Sequence, residues 1–324
     1  MSKNILICDD SPLVHKSMTR LLNASYDVNL FYAENGNEGL DKIAKNNIDI
    51  VFLDLTMPVM DGFEVLKRLP SLGYKPTIVI ISADVQKEAA RRCLMLGADQ
   101  FLSKPFDKNK LTQLLLNLNV ARIEKSMCDT HKGLSVDYIA GFREIANISL
   151  GRGAAIISDH LGEFIKMPLP CVSTMGSSDL RFRLIADIRS DQQSIAIAQR
   201  FVGGGIHGEA LVDLRGEDIV EFGEKLGFSQ TNDDKNEVVI DIANIMVSSF
   251  LVALSLTISI PFSVRQPIIL EEYMNWNHKE YQSDDYFTVE YTYQAETLDV
   301  ECEVLFMMDS QSTKNYYQIM ETLN

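Results

Sequence analysis

Residues 51–62 read VFLDLTMPVMDG and carry the clearest structural signal in the first part of the chain. An apolar run ends at Asp54, and Pro58 breaks any continuation of the run. A carboxylate inside a buried strand is costly, whereas a carboxylate at the carboxyl end of a strand lies at the rim of the sheet. Asp54 is therefore predicted to follow a buried strand as a candidate reactive group.

Five strand-like runs alternate with helical patterns across residues 1–121. The apolar runs cover residues 4–8, 28–32, 48–54, 77–82 and 100–103, and each is followed by apolar residues at helical spacing. Strands that alternate with helices predict an α/β doubly wound fold with a five-stranded parallel sheet, of the flavodoxin-like type. In such a sheet, functional groups belong at the carboxyl ends of the strands.

These strand ends carry polar residues, namely Asp9, Asp10, Asp54, Ser82 and Lys104. Three carboxylates at one rim repel one another unless a cation neutralises them, and hard oxygen ligands suit Mg²⁺. A hydroxyl and an ammonium group on the other side would hold an anionic group on the central carboxylate. The set of residue types predicts covalent capture of a phosphoryl group by a carboxylate.

Residues 1–121 resemble the receiver domains of CheY-type response regulators, and the match includes each of these polar positions. The resemblance implies that Asp54 is the phosphoacceptor. It also implies that Asp10, Asp54 and the backbone carbonyl of Thr56 bind Mg²⁺, while Asp9 acts through water. The expected phosphodonor is a sensor histidine kinase or a small phosphodonor, in a phosphorelay of two-component or chemotaxis signalling.

The same resemblance assigns roles on the other side of the site. Ser82 and Lys104 are expected to contact the phosphoryl group. Phe101 is expected to be the switch aromatic residue that rearranges together with Ser82. The peptide bond between Lys104 and Pro105 is expected to be cis.

The second half of the chain repeats a short pattern. Residues 141–148 read GFREIANI and residues 238–245 read VVIDIANI. Glu144 and Asp241 are 97 positions apart, as are Asn147 and Asn244. Pro170 and Pro267 also differ by 97, so an internal duplication is predicted. In each copy the acid and the asparagine are three residues apart, which places them side by side on one face of a helix.

The duplicated acid-x-x-Asn pattern resembles the CheC/CheX/FliY phosphatases over about residues 136–324. The resemblance implies an enzyme that dephosphorylates phosphorylated CheY-type receivers, in trans or on its own Asp54. The acid would pair with the lysine of the receiver, and the asparagine amide would orient a water molecule. Glu144 and Asn147 are favoured as the active motif over Asp241 and Asn244, because Asp241 replaces the usual glutamate.

A non-catalytic adaptor is the alternative hypothesis. In that case the second half would bind only receivers or a CheD-type partner, and Asp54 would serve as a phosphate sink. The predicted domains are a receiver at residues 1–121, a helical extension and linker at 122–135, and an α+β CheC-like domain at 136–324. The predicted strands of this last domain cover residues 181–188, 208–214, 258–264, 286–293 and 300–307.

Charge and composition exclude some functions. The chain has 324 residues and a formal net charge of −15. Residues 1–121 contain 14 basic and 14 acidic residues, whereas residues 122–324 contain 16 basic and 31 acidic residues. Nucleic-acid binding requires clustered Lys and Arg, so we expect no nucleic-acid partner.

The remaining sequence signals concern localisation and one misleading motif. The five cysteines are scattered without a C-x-x-C pattern, which favours a reducing cytoplasm. The most apolar stretch, residues 245–260, is shorter than a membrane span, so no membrane association is expected. Residues 203–208 read GGGIHG and fit G-x-G-x-x-G, but a strand pattern follows them. A dinucleotide site requires a helix there, so a turn between strands is predicted.

Overall fold

The computed structural model describes residues 2–106, 108–121, 138–176, 194–228, 235–270 and 285–323. The chain forms two compact units, Met1–Glu144 and Ile145–Asn324. Helix α6, Tyr138–Leu161, begins in the first unit and continues into the second. The predicted linker, residues 122–135, and the predicted strand at residues 181–188 lie outside the described residues.

The first unit contains the predicted parallel sheet. Its strands are β1 (Lys3–Cys8), β2 (Val28–Ala33), β3 (Ile50–Leu53), β4 (Thr77–Ser82) and β5 (Gln100–Ser103). They are parallel and lie in the order β2-β1-β3-β4-β5. The helices between and after them are α1 (Pro12–Ser25), α2 (Gly36–Lys45), α3 (Gly62–Arg68), α4 (Lys87–Met95) and α5 (Lys108–Asn117), and a 3-10 helix covers Leu69–Leu72. The five-stranded flavodoxin-like prediction is confirmed.

Local sequence explains where these helices begin. Ser11 lies directly before α1, and its hydroxyl accepts a hydrogen bond from the Val14 N–H. The Asp61 side chain accepts one from the Glu64 N–H at the start of α3. Such caps satisfy backbone donors that a helix leaves unpaired. Because these caps begin helices immediately after strand ends, they also fix the loops at the rim of the sheet.

The central strands β3 and β4 are almost fully buried, since helices cover both faces of the sheet. Side chains from the strands pack with α1 and α5 into one cluster of buried apolar residues. Its strand members include Ile7, Phe52 and Val79. This packed core holds the strand ends in fixed positions.

The second unit is α+β with an antiparallel sheet. Its strands are β6 (Ile165–Lys166), β7 (Cys171–Gly176), β8 (Ile195–Gly203), β9 (Ile206–Arg215), β10 (Ser263–Val264), β11 (Ile268–Ile269), β12 (Asp285–Ala295) and β13 (Glu301–Met308). The main path runs β10-β8-β9-β13-β12-β6, with β11 paired to β8 and β7 paired to β12. Besides α6, the helices are α7 (Ile219–Lys225), α8 (Lys235–Ile258) and α9 (Ser310–Leu323).

The predicted duplication is visible in the element boundaries. Helices α6 and α8 each have 24 residues, and both their first and last residues differ by 97 (235 − 138 and 258 − 161). The same offset relates the end of β6 to the start of β10 (263 − 166) and the start of β7 to the start of β11 (268 − 171). The second unit therefore contains two copies of a helix followed by two short strands.

One strand prediction of the second half differs from the structure, and one turn prediction agrees with it. The predicted strand at residues 258–264 is wrong for most of its length, because α8 continues to Ile258 and only Ser263–Val264 is extended. Of the β-branched residues in that stretch, only Ile258 belongs to the buried helix α8. The predicted turn at residues 203–208 is confirmed as a β8–β9 hairpin. Gly204 and Gly205 have φ values of 58° and 78°, which a two-residue turn of this kind requires.

Helix α8 is longer than the apolar stretch suggested. Its residues Asn236–Ile258 are long and apolar enough to cross a bilayer by length and composition alone. However, 61% of the most apolar 18-residue stretch of this helix is buried inside the protein. Buried core helices pass the same test, so this feature is weak evidence for a membrane span.

Candidate functional site

Asp54 directly follows β3 and is fully buried. Its Oδ1 accepts hydrogen bonds from the backbone N–H groups of Leu55 at 2.7 Å and Thr56 at 3.4 Å. A Cβ at Gly62 would lie 2.2 Å from the Asp54 carbonyl oxygen, so only glycine fits at the start of α3. The stretch from Asp54 to Gly62 therefore folds back tightly and fixes the direction of the carboxylate.

Asp9 and Asp10 follow β1 beside Asp54. One carboxylate oxygen from each of the three residues lies within 4.8 Å of the others. Burial raises the pKa of Asp9 well above its usual value, and the nearby charges of Asp54 and Glu144 add to this effect. Burial and the Asp54 charge raise the pKa of Asp10 to about 6. Three crowded carboxylate oxygens form a donor set of the kind that a hard divalent cation prefers.

Lys104 follows β5 and points into the same cluster. Its Nζ lies 2.8 Å from Asp9 Oδ2, 2.8 Å from Asp54 Oδ2 and 3.4 Å from Glu144 Oε1, all within the first unit. The lysine side chain is 1% exposed. Burial acts against the charged ammonium, but attraction by Asp54, Asp9 and Glu144 outweighs it and raises the pKa of Lys104. Lys104 therefore remains a cation in the buried site.

Ser82 and Phe101 have the positions that the sequence predicted for them. Ser82 ends β4 and is fully buried, and Phe101 lies half-buried on β5, opposite Ile80 of β4. The Ser82 hydroxyl oxygen accepts a hydrogen bond from the Asp84 N–H at 3.1 Å. The peptide bond between Lys104 and Pro105 is cis, as the resemblance implied.

Asp84 was not singled out from the sequence. It lies two residues after Ser82, is 5% exposed, and its Oδ1 accepts a hydrogen bond from the Gln86 N–H at 3.0 Å. Burial raises the pKa of Asp84 to about 6. An acid two residues after a strand usually lies in an exposed turn, so nothing in the sequence indicated that Asp84 is buried.

The two acid-x-x-Asn motifs lie on the paired helices α6 and α8. Glu144 and Asn147 are both buried, and Asn147 Oδ1 has no hydrogen-bond partner among the described residues. In contrast, Asp241 is partly exposed and Asn244 is exposed. Burial and the nearby Glu237 carboxylate raise the pKa of Asp241. The predicted helical setting of both motifs is thus observed, but their surroundings differ.

Two tyrosines of β12 hold the motif helices against the sheet. The Tyr293 hydroxyl donates to the Leu150 carbonyl of α6 at 3.1 Å. The Tyr291 hydroxyl lies 3.5 Å from the Met246 carbonyl of α8. Each contacted carbonyl lies within one helical turn after the asparagine of its motif. The tyrosines therefore tie both motifs to a single strand.

Comparisons with known proteins agree with the geometry of the first unit. Residues 5–116 match the response regulator receiver domain. The chain is 31% identical over 120 residues to the chemotaxis protein CheY of Treponema pallidum, which covers 35% of this chain and 81% of that protein. It is 34% identical over 122 residues to the sensor histidine kinase RcsC of Escherichia coli K12, covering 38% of this chain but only 13% of RcsC.

Among the similar solved structures is that of the CheX–CheY complex with BeF₃ and Mg²⁺ from Borrelia burgdorferi. The match is 34% identical and covers 36% of this chain and 88% of the matched chain, with a TM-score of 0.34. Asp9, Asp10, Asp54 and Lys104 all lie within the matched residues 5–116, as do strands β2 to β5 and most of β1. Through this region the chain belongs to the response regulator receiver family.

Proposed function

We propose that this chain is a signalling protein whose receiver accepts a phosphoryl group on Asp54 and whose second half hydrolyses receiver aspartyl phosphates. The phosphoryl group would come from a sensor histidine kinase or a small phosphodonor. The substrate of the hydrolysis would be a separate CheY-type receiver or the chain's own Asp54. The second half would thus be a protein aspartyl-phosphate phosphatase.

The arrangement around Asp54 supports the role of phosphoacceptor. Its Oδ1 is held by two backbone N–H groups, while its Oδ2 faces Lys104. Mg²⁺ would be held by Asp10, Asp54 and the backbone carbonyl of Thr56, with Asp9 acting through water. When bound, Mg²⁺ would neutralise the carboxylates and the incoming phosphoryl oxygens. Lys104 supplies a second positive charge, on the other side of the site.

The phosphatase proposal is carried by one observation, the 3.4 Å approach of Glu144 Oε1 to Lys104 Nζ. Glu144 is the acid of the first motif, and Lys104 also pairs with the phosphoacceptor Asp54. An acid from a motif helix is thereby directed to the lysine of a receiver site. This is the pairing that the resemblance to the CheC/CheX/FliY phosphatases implies.

Asn147 completes the proposed motif. It follows Glu144 by three residues on α6, so its side chain lies on the same face of the helix. Its Oδ1 can accept a hydrogen bond from water and direct a water lone pair at phosphorus. Attack would break the bond between phosphorus and the aspartyl oxygen of the receiver, so that the aspartate leaves as a carboxylate and the released phosphate keeps both protons of the water. The asparagine would contribute positioning, which is a large share of catalysis in phosphoryl transfer.

The test is phosphate release from a separate phosphorylated CheY-type receiver mixed with the full chain. Asn147→Ala should slow the release at least about tenfold relative to wild type, because positioning of the water is lost. Asn37→Ala, which replaces an exposed asparagine on α2, is the matched control and should behave as wild type. Equal rates for wild type and Asn147→Ala would reject the phosphatase and leave the adaptor hypothesis.

The same assay identifies the substrate. In Asp54→Ala the chain's own receiver cannot be phosphorylated, so release from the added receiver reports only action in trans. In the wild-type chain, the lifetime of phosphate on Asp54 reports action on its own receiver. A longer lifetime of this phosphate in Asn147→Ala would show that the first motif dephosphorylates Asp54.

A further inference from the structure

The second motif differs from the first in the state of its asparagine. Asn244 Oδ1 accepts a hydrogen bond from Gln199 Nε2 at 2.7 Å and a longer one from the Ser248 hydroxyl at 3.4 Å. Asn244 Nδ2 has no partner among the described residues, and the residue is exposed. The carboxamide oxygen is therefore occupied, whereas the amide N–H groups remain available at the surface.

The orientation of these amides follows from the backbone. Gln199 Nε2 also donates to the Arg265 carbonyl oxygen at 2.9 Å. A carbonyl oxygen can only accept, so the nitrogen of Gln199 must face it. The second hydrogen of that nitrogen then requires an acceptor, which fixes Asn244 with its oxygen inward. The Arg265 carbonyl thus fixes the orientation of the Gln199 amide, and Gln199 fixes the orientation of the Asn244 amide.

Gln199 is held in this orientation at a cost. It is 1% exposed on β8, and its Oε1 is buried without a hydrogen-bond partner among the described residues. An unsatisfied buried acceptor costs about 1–3 kcal/mol, so native proteins rarely keep one without a reason. In return, this arrangement keeps both hydrogen bonds of Gln199 Nε2, to Asn244 and to Arg265.

The first copy has no equivalent of Gln199. Backbone pairing in the sheet defines which strand residues correspond in the two copies. The pair Cys171–Glu290 of the first copy corresponds to the pair Ile268–Ala198 of the second, because Cys171 and Ile268 are 97 positions apart. In the same way, the pair Lys166–Gln294 corresponds to the pair Ser263–Val202. Both matches give an offset of 92 between β8 and β12 (290 − 198 and 294 − 202). Gln199 therefore corresponds to Tyr291, whose hydroxyl bonds to a carbonyl of α8. The duplication is thus broken at the residue that orients the asparagine.

This difference has a chemical consequence. A water molecule that donates to a carboxamide oxygen keeps its lone pairs free for attack on phosphorus. A water molecule that accepts from an amide N–H uses a lone pair for that bond. Asn147 retains a free acceptor, whereas Asn244 offers only donors, which suit the oxygens of a phosphoryl group. Asp241, one helical turn earlier, has no hydrogen bond or ion pair with the described residues and can pair with a lysine of a bound receiver.

We propose that Gln199 is a positioning residue that commits the second motif to binding a phosphorylated receiver domain without hydrolysing its aspartyl phosphate. This inference rests on the proposed function, because it takes a phosphorylated receiver as the partner of the motif helices. The second motif then retains a phosphorylated receiver that the first motif can hydrolyse after its release. No covalent step occurs at Asn244.

The test uses full-length Asn147→Ala, in which the second motif is the remaining one, and a beryllofluoride-activated CheY-type receiver with Mg²⁺ as the probe. This chain should bind the probe without releasing phosphate from the phosphorylated receiver. Adding Asn244→Asp, which keeps the bond from Gln199 but replaces the outward amide with a carboxylate, should weaken binding at least about tenfold. Adding Gln199→Met should weaken it similarly, because Asn244 loses its fixed orientation. Glu221→Gln on α7 is the surface control.

A double-mutant cycle separates positioning from general damage. If Gln199 acts through Asn244, Gln199→Met should have no further effect once Asn244→Asp is present. Additive losses would overturn the proposal, as would binding that is absent in Asn147→Ala or unaffected by Asn244→Asp. Phosphate release by Asn147→Ala that Asn244→Asp removes would also overturn it. Should Gln199→Met fail to fold, the exposed Asn244→Asp substitution alone decides the binding claim.

The outcomes also separate this inference from the proposed function. If the wild type releases no phosphate but Asn147→Ala binds the probe in a manner sensitive to Asn244→Asp, the phosphatase proposal fails and the docking site stands. If the wild type releases phosphate and Asn147→Ala does not bind, the phosphatase proposal stands and the docking site fails.

Discussion

The two units build their candidate sites in different ways. In the first unit Asp9, Asp54, Ser82 and Lys104 all end or follow parallel strands, so the sheet alone brings them to one rim. The two acid-x-x-Asn motifs instead lie in the first half of the long helices α6 and α8, and the asparagine of the second motif contacts a strand distant in sequence. Gln199 and Asn244, for example, are 45 positions apart.

Whether a site can be recognised from sequence depends on what brings its residues together. A parallel sheet converts the order of strand ends into proximity, whatever the details of packing. A helix places an acid and an asparagine together by itself, but the orientation of the asparagine amide depends on its neighbours across the sheet. Equal motifs in the two copies therefore do not imply equal chemistry.

The largest effect on stability is expected at Asp84, which tests whether the first unit keeps buried charge outside the aspartate cluster. Burial raises its pKa to about 6. The folded state then binds the proton more tightly than the unfolded chain, whose aspartate pKa is about 3.9. Stability from this group is thus complete below pH of about 4 and is lost as the pH rises to about 6.

Asp84→Asn should therefore raise the free energy of unfolding by on the order of 2–3 kcal/mol at pH 7, while the gain should shrink toward pH 4. The asparagine oxygen keeps the bond from the Gln86 N–H. Urea unfolding of the full chain from pH 4.5 to 8 measures the difference. Asp41→Asn on the exposed face of α2 is the control, and a gain at Asp84 that does not depend on pH would contradict the assignment.

A smaller effect is expected at the tyrosines that tie the motif helices to β12, and it tests the asymmetry between the two copies. Tyr293→Phe removes a buried hydrogen bond of 3.1 Å to α6 and should cost about 1 kcal/mol. Tyr291→Phe removes a contact of 3.5 Å to α8 and should cost less, since that distance is at the limit of a hydrogen bond. Urea unfolding of both variants measures the two losses in the free energy of unfolding. A larger loss for Tyr291→Phe than for Tyr293→Phe would contradict the prediction.

The fold of the first unit could be predicted from sequence because its strands are continuous apolar runs separated by clear breaks. The bounds of β4 and β5 agree with the prediction to the residue. The second unit was harder, because residues 258–264 read ISIPFSV and their alternating apolar residues suit a strand, although only Ser263–Val264 forms one. Strand β8 was not predicted, and its pairing with β9, β10 and β11 is seen only in the folded sheet.

The candidate sites show the same limit. The types of residue at strand ends predicted the aspartate cluster and Lys104, and the repeat predicted both motif helices. Asp84 and Gln199 could not be predicted, because an isolated Asp or Gln in sequence is usually exposed. Their roles depend on burial and on the groups they contact, which only the folded chain defines.

The smallest effect is expected in the loop that follows the phosphoacceptor, where the first unit holds a strained residue. Val59 has a φ of 68° and is 80% exposed. A left-handed backbone costs an L-residue about 1–2 kcal/mol, whereas glycine avoids that cost but loses about 0.5–1 kcal/mol in chain entropy. Val59→Gly should therefore stabilise the protein by about 0.5 kcal/mol. Val59→Ala keeps a Cβ and should gain less, so an equal gain would assign the effect to the exposed side chain and not to the backbone.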